Sequence, residues 1–147
     1  MSSTFPAPSS PVTRAPVSPA RARTIAGYRN LALWTLQGWA AMFFFAAGYA
    51  KLTESMDNLV ALMTWPALVS QNLVRGVGIV EIILALGLLM PLFSWKIGRW
   101  PLLVSAAGLV AMEAIMLTVH MIGMDIGLAL TNAVLLAITI PVLLGRR

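Results

Sequence analysis

Cysteine is absent from the 147 residues, which excludes disulfides, thiolate metal sites, iron–sulfur clusters and cysteine nucleophiles. Acidic side chains are scarce, with five Asp and Glu against ten Lys and Arg, and histidine occurs once, so a bis-His haem site within one chain is impossible. Charged residues make up 10% of the chain, whereas an ordinary soluble domain carries about 25%. No phosphate-binding loop and no Ser/His/Asp order is present. What the chain has instead is apolar surface: 59% hydrophobic residues and a mean hydropathy of +0.86. That excludes a soluble globular protein and predicts an all-α integral membrane protein, because a bilayer-spanning helix needs about 20 apolar residues.

Prolines at 6, 8, 11, 16 and 19, separated by Ser, Thr and Ala and accompanied by Arg14, Arg21 and Arg23, deny residues 1–27 a continuous apolar stretch. This segment reads as a disordered basic tail rather than a secretory signal. The transmembrane domain then occupies residues 28–147, with spans expected at Leu31 to Ala50, about Leu73 to Phe93, Trp100 to about His120, and Ile126 to Leu144. Between the first two, Met56, Leu59, Val60 and Met63 follow one helical face and predict a short interfacial helix ending near Pro66. Pro101 is expected in the first turn of the third span, where its missing N–H does no harm. Gly123 and Gly127 read either as a small-residue packing pair or as a turn.

Four spans place both termini on one side. Eight of the ten basic residues fall in the tail, the loop between spans two and three, and the C-terminus, so the positive-inside rule makes both termini cytoplasmic. The net charge of +5 is read as topology and attraction to the lipid bilayer, not as nucleic-acid binding.

Polar residues inside spans are expensive, about 2.5–3.5 kcal/mol each on insertion scales, and mark candidate function. Five lie there: Arg75, Glu81, Glu113, His120 and Asn132, with Lys51 at the end of the first span. The alternating helix directions put them all in the outer half, with Glu81 and His120 within reach across the second and third spans. Glu113, Met116, Leu117, His120 and Met124 share one face of the third span if the helix continues that far. Glu81 and Glu113 share a proton, or pair with Arg75, Lys51 or protonated His120. The functional reading is a polar pocket for a small ligand such as a quinone head group; the competing reading is an interhelical hydrogen-bond cluster that fixes packing. Arg75 and Lys51 also suit snorkelling to the interface. Met112, Met116, Met121 and Met124 around His120 raise Cu(I), but thioethers are common gap-fillers and no cysteine supports a soft-metal site, so neither metal nor haem is expected.

Three stretches, AAGYAKL (46–52), GIVEIILALGLLMP (78–91) and AAGLVAMEAIMLTVHM (106–121), followed by Asn132 and the terminal Gly145-Arg146-Arg147, resemble the DoxX-like family of small four-helix membrane proteins over about residues 28–147. The resemblance implies a bacterial inner-membrane protein, in a family named after a subunit of a quinone-linked respiratory oxidase, with its polar positions at Lys51, Glu81, His120 and Asn132. Glu113 enters from the reading of the residues alone. The expected function is therefore a membrane subunit, within a larger complex or homo-oligomer, that serves a quinone-linked oxidoreductase and binds a small ligand in the outer half. The alternative is a non-enzymatic scaffold or assembly factor. A small transporter is less favoured, because no half-to-half repeat is visible. Whether the chain takes part in catalysis stays open, since no residue here carries electrons without a cofactor.

Overall fold

The computed structural model describes residues 18–147, which are helical throughout apart from short connections. Helix α1 runs Pro19–Thr53, α2 Met56–Met63, α3 Gln71–Leu89, α4 Trp95–Ile122 and α5 Ile126–Gly145. Among the described residues, α1, α3 with its terminal turn, α4 and α5 are each long and apolar enough to cross a membrane. They pack in a ring, α1 on α3, α3 on α4, α4 on α5 and α5 back on α1. Asn30, a third of the way along α1, meets Arg146 just past the end of α5, which places the N-terminal part of α1 and the end of α5 at one end of the bundle, and α2 lies across the other.

Of the expected tail, residues 1–17 lie outside the described residues, and Pro19–Gly27 is helical rather than disordered. The physical reason is local. Ser18 caps the helix by accepting from the Arg21 N–H, and Pro19 occupies the first helical position, where a fixed φ favours helix and no N–H is needed. Helix α1 is thus 35 residues long, about 50 Å at 1.5 Å per residue, well beyond a hydrocarbon core of about 30 Å. Its first two turns and more are exposed on every side.

The third span also starts earlier than expected, at Trp95, which puts Pro101 inside the helix instead of in its first turn. Its lost backbone bond is tolerated beside the tight α3–α4 corner, where Gly98 packs directly on the Met90–Pro91 backbone. The interfacial helix matches its expected position: Ser55 caps α2, and a 3₁₀ turn, Trp65–Leu68, follows around Pro66.

Small residues let the spans approach. The central core combines Ala40, Ala41, Phe44, Ala85, Leu88, Ala106, Leu109 and Leu135. A second cluster, Leu59, Trp65 and Val74 with Met63 and Met116 against it, seals α2 and its 3₁₀ turn over the bundle end. Gly123 and Gly127 turn out to serve the α4–α5 turn: Gly123 caps α4, and a Cβ on Gly127 would meet only Asp125. The tight pair is Gly48 on α1 with Gly78 on α3. A Cβ on Gly48 would sit 2.6 Å from the Gly78 carbonyl oxygen, and one on Gly78 2.8 Å from that of Gly48.

Gln37 is fully buried, and its Nε2 donates to the Leu88 carbonyl at 2.6 Å, satisfying an acceptor near the C-terminus of α3 that the helix itself leaves open. The outward surface, by contrast, is apolar: Trp39, Phe43, Ile79, Ile83, Leu86, Val104, Ile115, Leu130 and Val134 are all exposed, as contact with lipid requires.

Candidate functional site

The Gly48–Gly78 contact positions the site. Lys51 stands one turn after Gly48, and Glu81 one turn after Gly78, so the two charged residues flank this glycine contact between α1 and α3. A Cβ on Gly78 would lie 2.9 Å from Lys51 Cβ; its absence is what lets the lysine pass. Lys51 Nζ then donates to both Glu81 carboxylate oxygens, at 2.9 and 2.8 Å. Both side chains are under a tenth exposed. It is the one ion pair among the described residues.

A cavity of about 100 Å³ opens beside this pair. Glu81 and Lys51 form one wall, Glu113 and His120 of α4 a second, and Asn132 of α5 a third; Phe44 and Leu135 close its base, and Met63 and Trp65 cover it from the α2 side. Five of the six residues singled out by the sequence therefore line one space, and Glu81 and His120 face it together from neighbouring spans. Glu113 and Asn132 are 5% and 8% exposed, yet Glu113 Oε2 and Asn132 Nδ2 have no hydrogen-bond partner among the described residues. An unsatisfied buried polar group costs about 1–3 kcal/mol, so an acceptor and a donor left open on one cavity need a reason.

Arg75 departs from expectation and does not line the cavity. Six residues before Glu81, it is turned by about 240° around the helix and faces the end of α1. There its guanidinium donates to the Lys51 and Glu54 backbone carbonyls, the latter at 2.7 Å, capping a helix C-terminus whose carbonyls lack partners and whose dipole favours a cation. Its contribution to the site is indirect, through the backbone of Lys51.

The line of residues on α4 is also shorter than expected. The helix ends at Ile122, and Met124 sits in the following turn with φ 57° and 82% exposure, away from Glu113 and His120. Met121 is likewise exposed, and Met116 alone of the four nearby methionines faces the cavity. Among the described residues no group of three or more His, Cys, Asp or Glu could hold a metal ion.

Two contributors were not foreseen. Trp65 is 7% exposed and packs with Leu59 and Val74 over the cavity. The signal is the Trp65-Pro66 pair directly after an amphipathic α2, which ends the helix and turns the indole inward. Thr64, at φ 61°, precedes it and donates from Oγ1 to Asp125 Oδ2 at 3.0 Å, fastening this segment to the α4–α5 turn.

A ring of four membrane-spanning helices, closed at one end by a short helix over a polar cavity, defines a small polytopic bundle. The chain belongs to the DoxX-like family, which matches it over residues 35–142 and so takes in every cavity residue named above. No curated protein and no solved structure matches it.

Proposed function

We propose that this chain is a membrane subunit of a quinone-linked oxidoreductase assembly in the bacterial inner membrane, with both termini cytoplasmic, and that its cavity holds a small ligand with hydrogen-bonding oxygens, of which a quinone head group is the leading case. The observation that carries the reading is the pair of open groups: an acceptor, Glu113 Oε2, and a donor, Asn132 Nδ2, buried on one cavity and without a partner among the described residues. A quinone carbonyl takes the Asn132 N–H. The hydroxyl of the corresponding quinol donates to Glu113. His120 lies on the same wall as Glu113, and the Lys51–Glu81 pair supplies fixed opposite charges beside them. The cavity, at about 100 Å³, is smaller than the about 150 Å³ known to take a benzene ring, so a quinone ring enters only as lining side chains such as Met63 and Met116 give way, and a whole isoprenoid quinone does not fit. The tail therefore leaves between helices toward lipid.

The test uses Trp65, the one tryptophan on the cavity. Titrating a short-chain benzoquinone analogue into the purified chain should quench emission saturably, and Trp65→Phe should remove that component. Glu113→Leu, which removes the acceptor, should weaken binding of the quinol form about tenfold, the upper scale of one buried hydrogen bond. If no analogue gives a saturable, Trp65-dependent response, the cavity is a packing feature and the scaffold reading takes its place.

A further inference from the structure

The cavity does not account for the opposite end of the bundle. Arg146, the first residue past α5, is only 6% exposed. Its Nη1 donates to Asn30 Oδ1 at 2.8 Å, and the guanidinium lies 4.9 Å from the centroid of the Trp34 ring and 5.1 Å from that of Trp95. Aromatic faces stabilise a cation there. Its Nε and Nη2, however, are buried and have no partner among the described residues. Those two N–H groups form the side edge of a guanidinium, the edge that meets two oxygens of one phosphate or carboxylate in parallel.

No acidic side chain of this chain answers it. The five are Glu54, Asp57, Glu81, Glu113 and Asp125. Glu81 and Glu113 face the cavity, Glu54 and Asp57 follow the far end of α1, and Asp125 is separated from Arg146 by all of α5, about 30 Å. Around the clamp the charge is of the other sign. Arg29 precedes Asn30, Lys96 follows Trp95, Arg99 stands one turn later, and Arg147 is adjacent; all four are exposed. Two buried N–H groups of a cation are matched best by an anion, and none of this chain's acidic side chains reaches them.

The surface below Trp34 indicates its carrier. A shallow apolar groove runs along the outward face of α1, lined by Trp34, Thr35, Gly38, Trp39 and Met42, and a Cβ on Gly38 would meet nothing within 4 Å. It begins at one of the rings that holds Arg146 and lies on the apolar side, in line for a single acyl chain.

We propose that Arg146, Trp34 and Trp95 form a binding site for an anionic phospholipid, with the phosphate on the open guanidinium edge and an acyl chain along the Gly38 groove. Basic pockets at the ends of spans bind such headgroups by charge, and the bidentate edge adds selectivity over diffuse attraction. Because both N–H groups are covered, the phosphate reaches them as the Trp95 indole, nearly half exposed, swings aside. Binding is thereby tied to tryptophan emission. The site is independent of the cavity and of its ligand.

The experiment places the full chain in phosphatidylcholine nanodiscs and titrates in phosphatidylglycerol. Emission should change saturably, and Trp95→Phe should abolish the change. Arg146→Gln should shift the midpoint upward about tenfold, as for the loss of charged hydrogen bonds. Arg146→Lys keeps the charge without the fork and should lose nearly as much, whereas Arg147→Gln should stay within about twofold of the parent. Gly38→Leu fills the groove and should weaken binding with Arg146 intact. If Arg146→Gln does not fold, the parent and Arg146→Lys still decide. The proposal is overturned if Arg147→Gln matches Arg146→Gln, if Arg146→Lys matches the parent, if Gly38→Leu leaves the midpoint unmoved, or if inorganic phosphate in phosphatidylcholine alone gives the same change.

Discussion

Lys51 and Arg146 are both buried cations at the ends of α1 and α5, and they are solved in opposite ways. Lys51 has its carboxylate 2.8 Å away on α3, brought there by the contact of Gly48 with Gly78. Arg146 has aromatic faces and one amide oxygen, with the rest of its fork open. The difference lies in where the acids are. At the α2 end the chain provides its own counter-charge and leaves a neutral donor, Asn132 Nδ2, and an acceptor, Glu113 Oε2, for something small. At the other end it provides none, so that site is completed by the membrane.

The contrast is sharpened first by breaking the internal pair. Lys51→Met leaves Glu81 buried without its partner and should lower stability by about 3–5 kcal/mol, read as the melting temperature of the purified chain. Adding Glu81→Gln to that variant should recover most of the loss. If Lys51→Met alone melts like the parent, the pair is not what holds α1 to α3 at this end.

Next in size is the contact that creates the pair. Gly48→Ala places a methyl 2.6 Å from a backbone oxygen, so α1 and α3 must separate, at about 1–3 kcal/mol of destabilisation. Gly123→Ala and Gly127→Ala should have smaller effects, since a Cβ at Gly123 comes no nearer than 3.3 Å to its neighbours and one at Gly127 3.8 Å.

Arg146→Met supplies the other half of the comparison. No buried carboxylate is orphaned by it, and two unpartnered N–H groups disappear while the cation–π contacts are lost, so the net change should stay within about 1 kcal/mol. A loss as large as that of Lys51→Met would mean that both ends are closed by the same kind of internal bonding.

How much of this could be read from the chain follows the same physics. Apolar runs of bilayer length announce a spanning helix wherever they occur, so the four spans were legible, and the penalty on intramembrane charge made Glu81, Glu113, His120 and Asn132 stand out. Lys51 emerged with them. Arg75 misled because sequence gives depth along a helix more readily than the direction of a side chain, and a helix C-terminus competes for a cation as effectively as a pocket does. Pro19–Gly27 looked unstructured because prolines are counted against helix, although a proline in first position after a serine cap starts one. Gly48 and Gly78 stand on different helices, and no spacing rule within one segment links them. In the sequence Arg146 is one topology charge among equivalent basic residues; only its neighbours Trp34, Trp95 and Asn30 set it apart.

The smallest expected change in stability makes the most direct test of the cavity. Asn132→Leu removes an amide whose Nδ2 has no partner among the described residues, so the protein without ligand should melt at or slightly above the parent temperature, within the about 0.6 kcal/mol of an average interhelical bond. In the parent, a quinone analogue should raise the melting temperature in proportion to its affinity, since it binds the folded state alone. The measurement is the melting temperature of both proteins with and without the analogue. A ligand site predicts an unchanged or raised baseline for Asn132→Leu and loss of the analogue's shift; a lowered baseline with the shift intact would contradict it and make Asn132 a packing residue.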